Sequence, residues 1–221
     1  MSTLPEEHRQ QLPELPTAAP SDAMDAQGMS GTMTGIVPLG SRVPYRMVGT
    51  ARTISQGARH VGAEAETAYT RHPALVESGL HAGDVVVLST PPDIAASSWG
   101  YLLSLRCKLQ GVTRTVLDGS VRDPAQIVEL GYALYTRPGR FCPAGSKLGL
   151  ETLAVDAPVV CGGVHVSPGH VLVGDDSGVV VILPQRVPEV IEGARRIVAH
   201  ERELAQRVMA SGSLTSVGVS R

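Results

Sequence analysis

Aromatic residues make up only 3% of this 221-residue chain: one tryptophan, one phenylalanine and five tyrosines. Single-stranded nucleic acid is bound on stacked rings of that kind, so a stacking surface is nearly excluded. Cysteine is also scarce. Cys107, Cys142 and Cys161 are odd in number and far apart, with no CxxC or Cys/His spacing, which argues against a disulfide framework or a zinc module. A reducing, cytoplasmic compartment is the simplest expectation. Cys107 falls on an expected helix and Cys161 at a strand end, both common core positions, although a catalytic cysteine stays open as an alternative. No run of 18 apolar residues exists, so no segment is expected to span a bilayer. Charge of one sign is lacking too. With 19 basic and 21 acidic residues the net charge is -2, which gives no chain-wide attraction to nucleic acid or anionic membrane. The first residues, MSTLPEEHRQQLPELPT, lack the basic start and apolar stretch of a secretory signal.

What is present suits one good hydrophobic core, with 43% apolar residues over this length. Residues 1–20 hold four prolines and no periodicity, so they read as a flexible lead or a packing arm ahead of a single domain at 21–221. Ser21-Asp22 offers a cap for a short helix from Ala23 to about Gln27. The glycine-rich passage GMSGTMTGIVPLG leads into RMVGTARTI, which alternates as a strand does. A short helix is expected over 73–79. DVVVLS at 84–89 is an unbroken β-branched run, the mark of a strand buried on both faces. A helix over 97–110 follows, with Leu102, Leu105 and Leu109 on one stripe. Strand 113–117, a helix from Asp123-Pro124 to Gly131 and a strand at 133–136 complete a β-α-β-α-β series, which favours parallel pairing. PVVCGGVHVSPGHVLVGDDSGVVVILP then gives four short apolar runs separated by turn signals, an antiparallel meander. A helix over 188–210 closes the chain. The fold class is therefore α/β, with a mixed parallel core and an antiparallel meander.

The chemistry concentrates in WGYLLSLRCKLQGVTRTVLDGSVRD, residues 99–123. Gly100-Tyr101-Leu102-Leu103 opens a helix, whose first-turn N–H groups lack internal partners and can bind a carboxylate or oxyanion. Glycine at that entrance lets a ligand approach the backbone closely. Arg122 carries a planar fork suited to two-point recognition of a carboxylate or enolate. Asp123 is a hard oxygen ligand for Mg²⁺ or Mn²⁺. Each has a plainer alternative. Asp-Pro is a common helix start, with Asp as the cap and Pro in the first turn. Gly100 could be a tolerated helical glycine, and Arg122 a surface residue.

Together with SDAMDAQG, VGTART, GDVVVLS, the meander and the closing ASGSL, this segment resembles the RraA-like family, in the same order and over about residues 21–214. That family includes divalent-metal 4-hydroxy-4-methyl-2-oxoglutarate aldolases and the regulator of ribonuclease E activity. The resemblance implies a swivelling β/β/α domain, assembled as a homotrimer or a dimer of trimers with sites between subunits. It implies that Gly100, Tyr101, Leu102 and Leu103 bind pyruvate, that Arg122 binds substrate, and that Asp123 holds Mg²⁺ or Mn²⁺. Glu201 or Glu203 on the last helix would reach a neighbouring subunit's site.

The implied reaction is retro-aldol cleavage of a 4-hydroxy-2-oxo acid, such as 4-hydroxy-4-methyl-2-oxoglutarate, to pyruvate, with oxaloacetate decarboxylation as a side activity. No Schiff-base lysine is required, and Lys108 and Lys147 are the only lysines. The expected partner is a small oxo acid, with no nucleic acid and no membrane. Two departures stand out. Tyr101 occupies a position where the family's aldolases usually carry an acidic residue, with Asp93 as a conceivable compensation. His170 sits where an aspartate is usual and reads as a surface turn residue; His165 reads as structural. A repurposed enzyme acting on another small oxo acid, or a non-catalytic regulator-like binding protein, are the alternatives.

Overall fold

The computed structural model describes residues 4–40, 46–59, 65–112, 114–145 and 149–218. The expected strand residue Thr113, the first three residues of the arm and Lys147 lie outside them.

Strand β1 (Val37–Pro38), β2 (Met47–Ala58), β3 (Asp84–Ser89), β4 (Arg114–Asp118), β5 (Ala133–Thr136) and β6 (Leu150–Val155) precede a hairpin of β7 (Val159–Cys161) and β8 (Val164–Val166), followed by β9 (Val171–Asp175) and β10 (Gly178–Ile182). The main sheet runs in the order β1-β5-β4-β3-β2-β9-β10. Its centre, β2 to β5, is parallel, while β1, β9 and β10 join antiparallel. The 12-residue β2 is long enough to take two partners on one edge: β9 along Met47–Thr50 and β6 along Ile54–Ala58, with the register shifting between Ser55 and Gln56. The meander expected at the end of the chain is split. Two of its runs form the separate β7–β8 hairpin and two complete the sheet. The two strands the sequence reading omits are β1, a two-residue piece, and β6, where Glu151 and Thr152 interrupt the apolar run of LETLAV.

The helices are α1 (Glu6–Gln11), α2 (Ala18–Asp25), α3 (Ala65–Ser78), α4 (Tyr101–Leu109), α5 (Pro124–Glu129) and α6 (Val187–Ser211). Alternation along the strands divides the side chains between two faces. Val86 and Leu88 pack with the α3–α5 side chains, whereas Val85 and Val87 pack beneath the β7–β8 hairpin with Met33 and Ile36. In the same way Val171 and Val173 face α2 and α6, and Leu172 the hairpin. Hairpin, sheet and helices thus form three layers, a β/β/α arrangement.

Three expected boundaries move. The N-terminal arm is folded onto the helix layer: Leu12 is fully buried, with Leu4 and Leu15 beside it against α6. The boundary expected at residue 20 accordingly falls inside α2, which starts at Ala18 rather than Ala23. The helix expected over 97–110 starts only at Tyr101. Before it, Ser97, Ser98 and Trp99 use their backbone groups on Ala144, Ser120 and Val121–Arg122 and are held extended. The stripe of Leu102 and Leu109 faces outward, 68% and 74% exposed, while Ser104 and Cys107 form the buried side of α4. Among the described residues no helix is long and apolar enough to cross a membrane.

Candidate active site

The site lies where two chain reversals meet above the ends of β3 and β4. After β3 the chain runs extended through Ser97–Trp99 and enters α4; after β4 it runs through Ser120–Val121 and enters α5. Trp99, Val121 and Phe141 are joined side by side by short parallel bridges, and Arg122 N–H donates to Trp99 C=O at 3.0 Å. The indole of Trp99 is 1% exposed and donates to Ser104 Oγ at 2.9 Å, and Ser104 Oγ in turn donates to Gly100 C=O at 3.1 Å. The single tryptophan therefore pins the start of α4 against the strand that carries Arg122.

On this frame Asp123 does not behave as a helix cap. It occupies the residue before Pro124, but in the left-handed region (φ 56°), and its side chain makes no capping bond to α5. Holding a non-glycine residue there is a strained choice, of order 1 kcal/mol. Its Oδ2 instead accepts from the Tyr101 N–H of α4 at 3.3 Å and lies 3.5 Å from Arg122 Nε. Both side chains remain partly open, 42% for Arg122 and 37% for Asp123.

Gly100 is not merely tolerated. A Cβ there would lie 2.9 Å from both Arg122 Cγ and Nε and 3.1 Å from Asp123 Oδ2, so any side chain would displace the pair. Its backbone is extended, and close approach rather than unusual φ explains the glycine.

Beside this corner lies a cleft of about 400 Å³, in the range that suits a small ligand. Gly100, Leu102, Leu103 and Arg122 line it. Tyr101 contributes its N–H to Asp123, while its half-buried ring packs with the α3–α5 cluster. His72, Ser97 and Ser98 also line the cleft, and sequence reasoning passed over them. His72 had no signal to offer: it precedes Pro73 in a helix that read as starting one residue later, and only the fold shows it 2% exposed. Burial pushes its imidazole down to about 4, so it is neutral at neutral pH.

The remaining candidates fall elsewhere. Asp93 is exposed in the loop before Ser97 and does not line the cleft. His165 is exposed on β8, and His170 Nδ1 accepts from Ser167 N–H within its own turn, where burial lowers its pKa. Cys107 is buried and its thiol is pushed up to about 11; burial raises Cys161 as well, so neither forms a ready thiolate. Glu201 and Glu203 are exposed on the outer half of α6 and are not among the residues lining this chain's own cleft.

A hard cation is compatible with this donor set only in one form. Asp123 offers a single carboxylate, and among the described residues no group of three His, Cys, Asp or Glu side chains gathers. That excludes a closed structural zinc site within them but suits Mg²⁺ or Mn²⁺, which keeps several waters and takes one or two carboxylates plus substrate oxygens.

A three-layer β/β/α domain with an arginine–aspartate corner over a helix entrance defines the class. The family model described as Aldolase/RraA matches residues 17–181, and the chain belongs to this RraA-like family. An uncharacterised protein of Methanocaldococcus jannaschii is 42% identical over 120 residues, 54% of this chain and 56% of that protein, so the match spans little more than half of that relative. A protein of Halalkalibacterium halodurans, provisionally named a 4-hydroxy-4-methyl-2-oxoglutarate aldolase, is 30% identical over 204 residues, 90% of each chain. Among solved structures, Streptomyces coelicolor RraAS2, described as an unusual member of the RNase ES inhibitor RraA family, superposes with a TM-score of 0.81 at 25% identity, covering 94% of this chain and 100% of that one.

Proposed function

We propose that this chain is a divalent-metal-dependent carbon–carbon lyase that cleaves a 4-hydroxy-2-oxo acid and releases pyruvate. The observation that carries the reading is Asp123, which adopts a strained backbone yet leaves its own helix uncapped and turns its carboxylate to the α4 entrance beside Arg122. Backbone strain held at a partly open polar corner is a mark of functional sites. The name of the Halalkalibacterium relative supports the same substrate class.

The residues divide the work. The first-turn N–H groups of α4 and the Arg122 fork hold the carboxylate end of the oxo acid. Arg122 also faces the negative charge that grows on the oxo-acid oxygen as the carbon–carbon bond breaks, and an interaction that strengthens in the transition state accelerates the reaction. Asp123 holds Mg²⁺ or Mn²⁺, which when bound supplies Lewis acidity to the same oxygens. The same stabilisation of charge serves oxaloacetate decarboxylation as a side activity. We assign a trimer or a dimer of trimers, in which Glu201 or Glu203 of one copy completes the site of the next.

A second reading, a non-catalytic protein that binds another protein, draws on the exposed Leu102, Leu109 and Phe141 and on the absence of an acidic residue at Tyr101. The test is pyruvate release from 4-hydroxy-2-oxo acids with Mg²⁺ or Mn²⁺. Activity is expected to vanish with EDTA and to fall about 10³-fold in Asp123→Ala, with melting temperature preserved. Full activity in that variant would reduce Asp123 to a backbone feature. No pyruvate from any such acid, together with recovery of a ribonuclease partner, would favour the second reading.

A further inference from the structure

The buried side of α4 is small and polar, and its two buried residues are bonded to different parts of the fold. Ser104 meets the Trp99 indole, and Cys107 meets the Tyr132 hydroxyl about one turn further from the helix entrance. A serine that bonds the carbonyl four residues back is a common helical habit. Ser104 does more, because its oxygen is shared. An indole N–H only donates and a carbonyl only accepts, so the sense of the relay is fixed. It runs from Trp99 Nε1 to Ser104 Oγ at 2.9 Å, and from Ser104 Oγ to Gly100 C=O at 3.1 Å. The Ser104 N–H also reaches Gly100 C=O, at 3.2 Å, so one residue supplies two donors to the carbonyl at the mouth of the helix.

These bonds close a ring behind the site. Trp99 C=O accepts Arg122 N–H at 3.0 Å, so the residue whose ring is tied to Gly100 is tied by its backbone to the arginine. On the open side the α4 entrance and the arginine–aspartate turn meet through Tyr101 N–H and Asp123 Oδ2, a long and exposed bond of 3.3 Å. Gly100 has no side chain with which to cap α4, so no local cap fixes the height of the first turn. Ser104, fully buried and not among the residues lining the cleft, supplies that constraint from behind.

We propose that Ser104 is a positioning residue, which holds the first-turn N–H groups of α4 at the distance from Arg122 where both grip the charge developing on the oxo acid. The proposal rests on the oxo-acid reading above and adds to it a residue that touches no substrate. Its effect falls on kcat more than on KM, because donors slightly out of place still bind the ground state but lose the interaction that strengthens in the transition state.

Ser104→Ala breaks the relay at its centre, and Trp99→Phe breaks it at the indole while keeping a ring in the core. Pyruvate release with Mg²⁺ would be followed in both, in the double variant and in Cys107→Ala, well below each melting temperature. Calorimetry with oxalate, a planar dianion resembling the enolate of pyruvate, reads the same geometry without turnover. Each single variant is expected to lose about tenfold in kcat and in oxalate affinity, with KM within about twofold, less than a full ångström of misplacement costs. The double variant is expected to stay near tenfold, since both changes break one unit. Cys107→Ala loses a buried contact on the same side of α4, and is expected to lower the melting temperature while kcat stays native. Native kcat in both folded single variants, losses that multiply to about a hundredfold in the double, or an equal kcat loss in Cys107→Ala would overturn the proposal. A chain that releases pyruvate yet shows any of these results keeps the oxo-acid reading and loses only the role of Ser104. A chain that releases no pyruvate from any 4-hydroxy-2-oxo acid, but binds oxalate more weakly in Ser104→Ala, keeps the positioning of the α4 entrance and loses the lyase reading. A chain that neither releases pyruvate nor binds oxalate loses both.

Discussion

Two arginine–aspartate pairs draw their acids from the end of β4 and from the turn that follows it, and they are built in opposite ways. Arg137 grips Asp118 with two bonds, Nε to Oδ1 at 2.6 Å and Nη2 to Oδ2 at 2.9 Å, and Asp118 Oδ2 also accepts Gly162 N–H at 2.9 Å. These partners hold the Asp118 carboxyl below its usual range against the opposing effect of burial. Arg122 and Asp123, by contrast, touch at only 3.5 Å, and among the described residues one further bond, at 3.3 Å, reaches the carboxylate. The first pair is saturated and ties the β7–β8 hairpin to the sheet. The second keeps unused hydrogen-bonding capacity at the mouth of a cleft. A third aspartate shows that strain alone is not the difference. Asp156 also has positive φ (53°), yet its carboxylate is taken by Arg52 through two bonds of 2.8 and 2.7 Å. What separates the proposed functional acid from the structural ones is open hydrogen-bonding capacity at a strained position.

Three perturbations sharpen that contrast. The largest effect is expected on turnover in Gly100→Ala, where the new methyl meets Arg122 and Asp123 and pushes the open pair apart. Pyruvate release should fall about 10- to 100-fold, the usual result of displacing catalytic groups by an ångström. Retention of the native rate would mean that the pair's position is immaterial. Next, Asp118→Ala leaves a partly buried arginine and a backbone N–H without their acceptor and should cost about 2 kcal/mol in urea unfolding. Turnover per folded molecule should stay near native, and a selective loss of activity would erase the distinction between the pairs. The smallest effect on stability is expected in Asp123→Gly, which loses the carboxylate and with it the same turnover as Asp123→Ala. Removing Cβ at φ 56° relieves the strain while loosening the unfolded chain, so melting should stay level or rise by a few tenths of a kcal/mol. Clear destabilisation would show that the Asp123 side chain holds the fold.

The sequence carried the fold far because its periods and punctuation are unambiguous where the chain is regular. DVVVLS matches β3 residue for residue, and Ala133–Thr136 matches β5. Errors gathered where long-range contacts outweigh local preference. The Leu102–Leu109 stripe suggests an inward face, yet Trp99 and Ser104 lock α4 by its other side. Asp123-Pro124 has the letters of a cap, but the turn before it dictates a left-handed backbone that no local pattern announces. His72, Gln56, Thr90, Ser98 and Thr152 come from five separated segments, so their network is invisible until the sheet is assembled.

The length of β2 also governs the order in which the molecule can come into being. Its parallel neighbours follow soon after it, so the β2–β5 core and the Gly100–Asp123 corner can pair while the chain is still emerging from the ribosome. Its other edge must wait for β6 and β9. Until then a row of unpaired N–H and C=O groups stands open to any extended strand nearby. His72 likewise lacks its Thr152 partner until β6 arrives. The interval between synthesis of β5 and β9 is thus the window in which a nascent chain is most exposed to mispairing, and in which a chaperone would have most to protect.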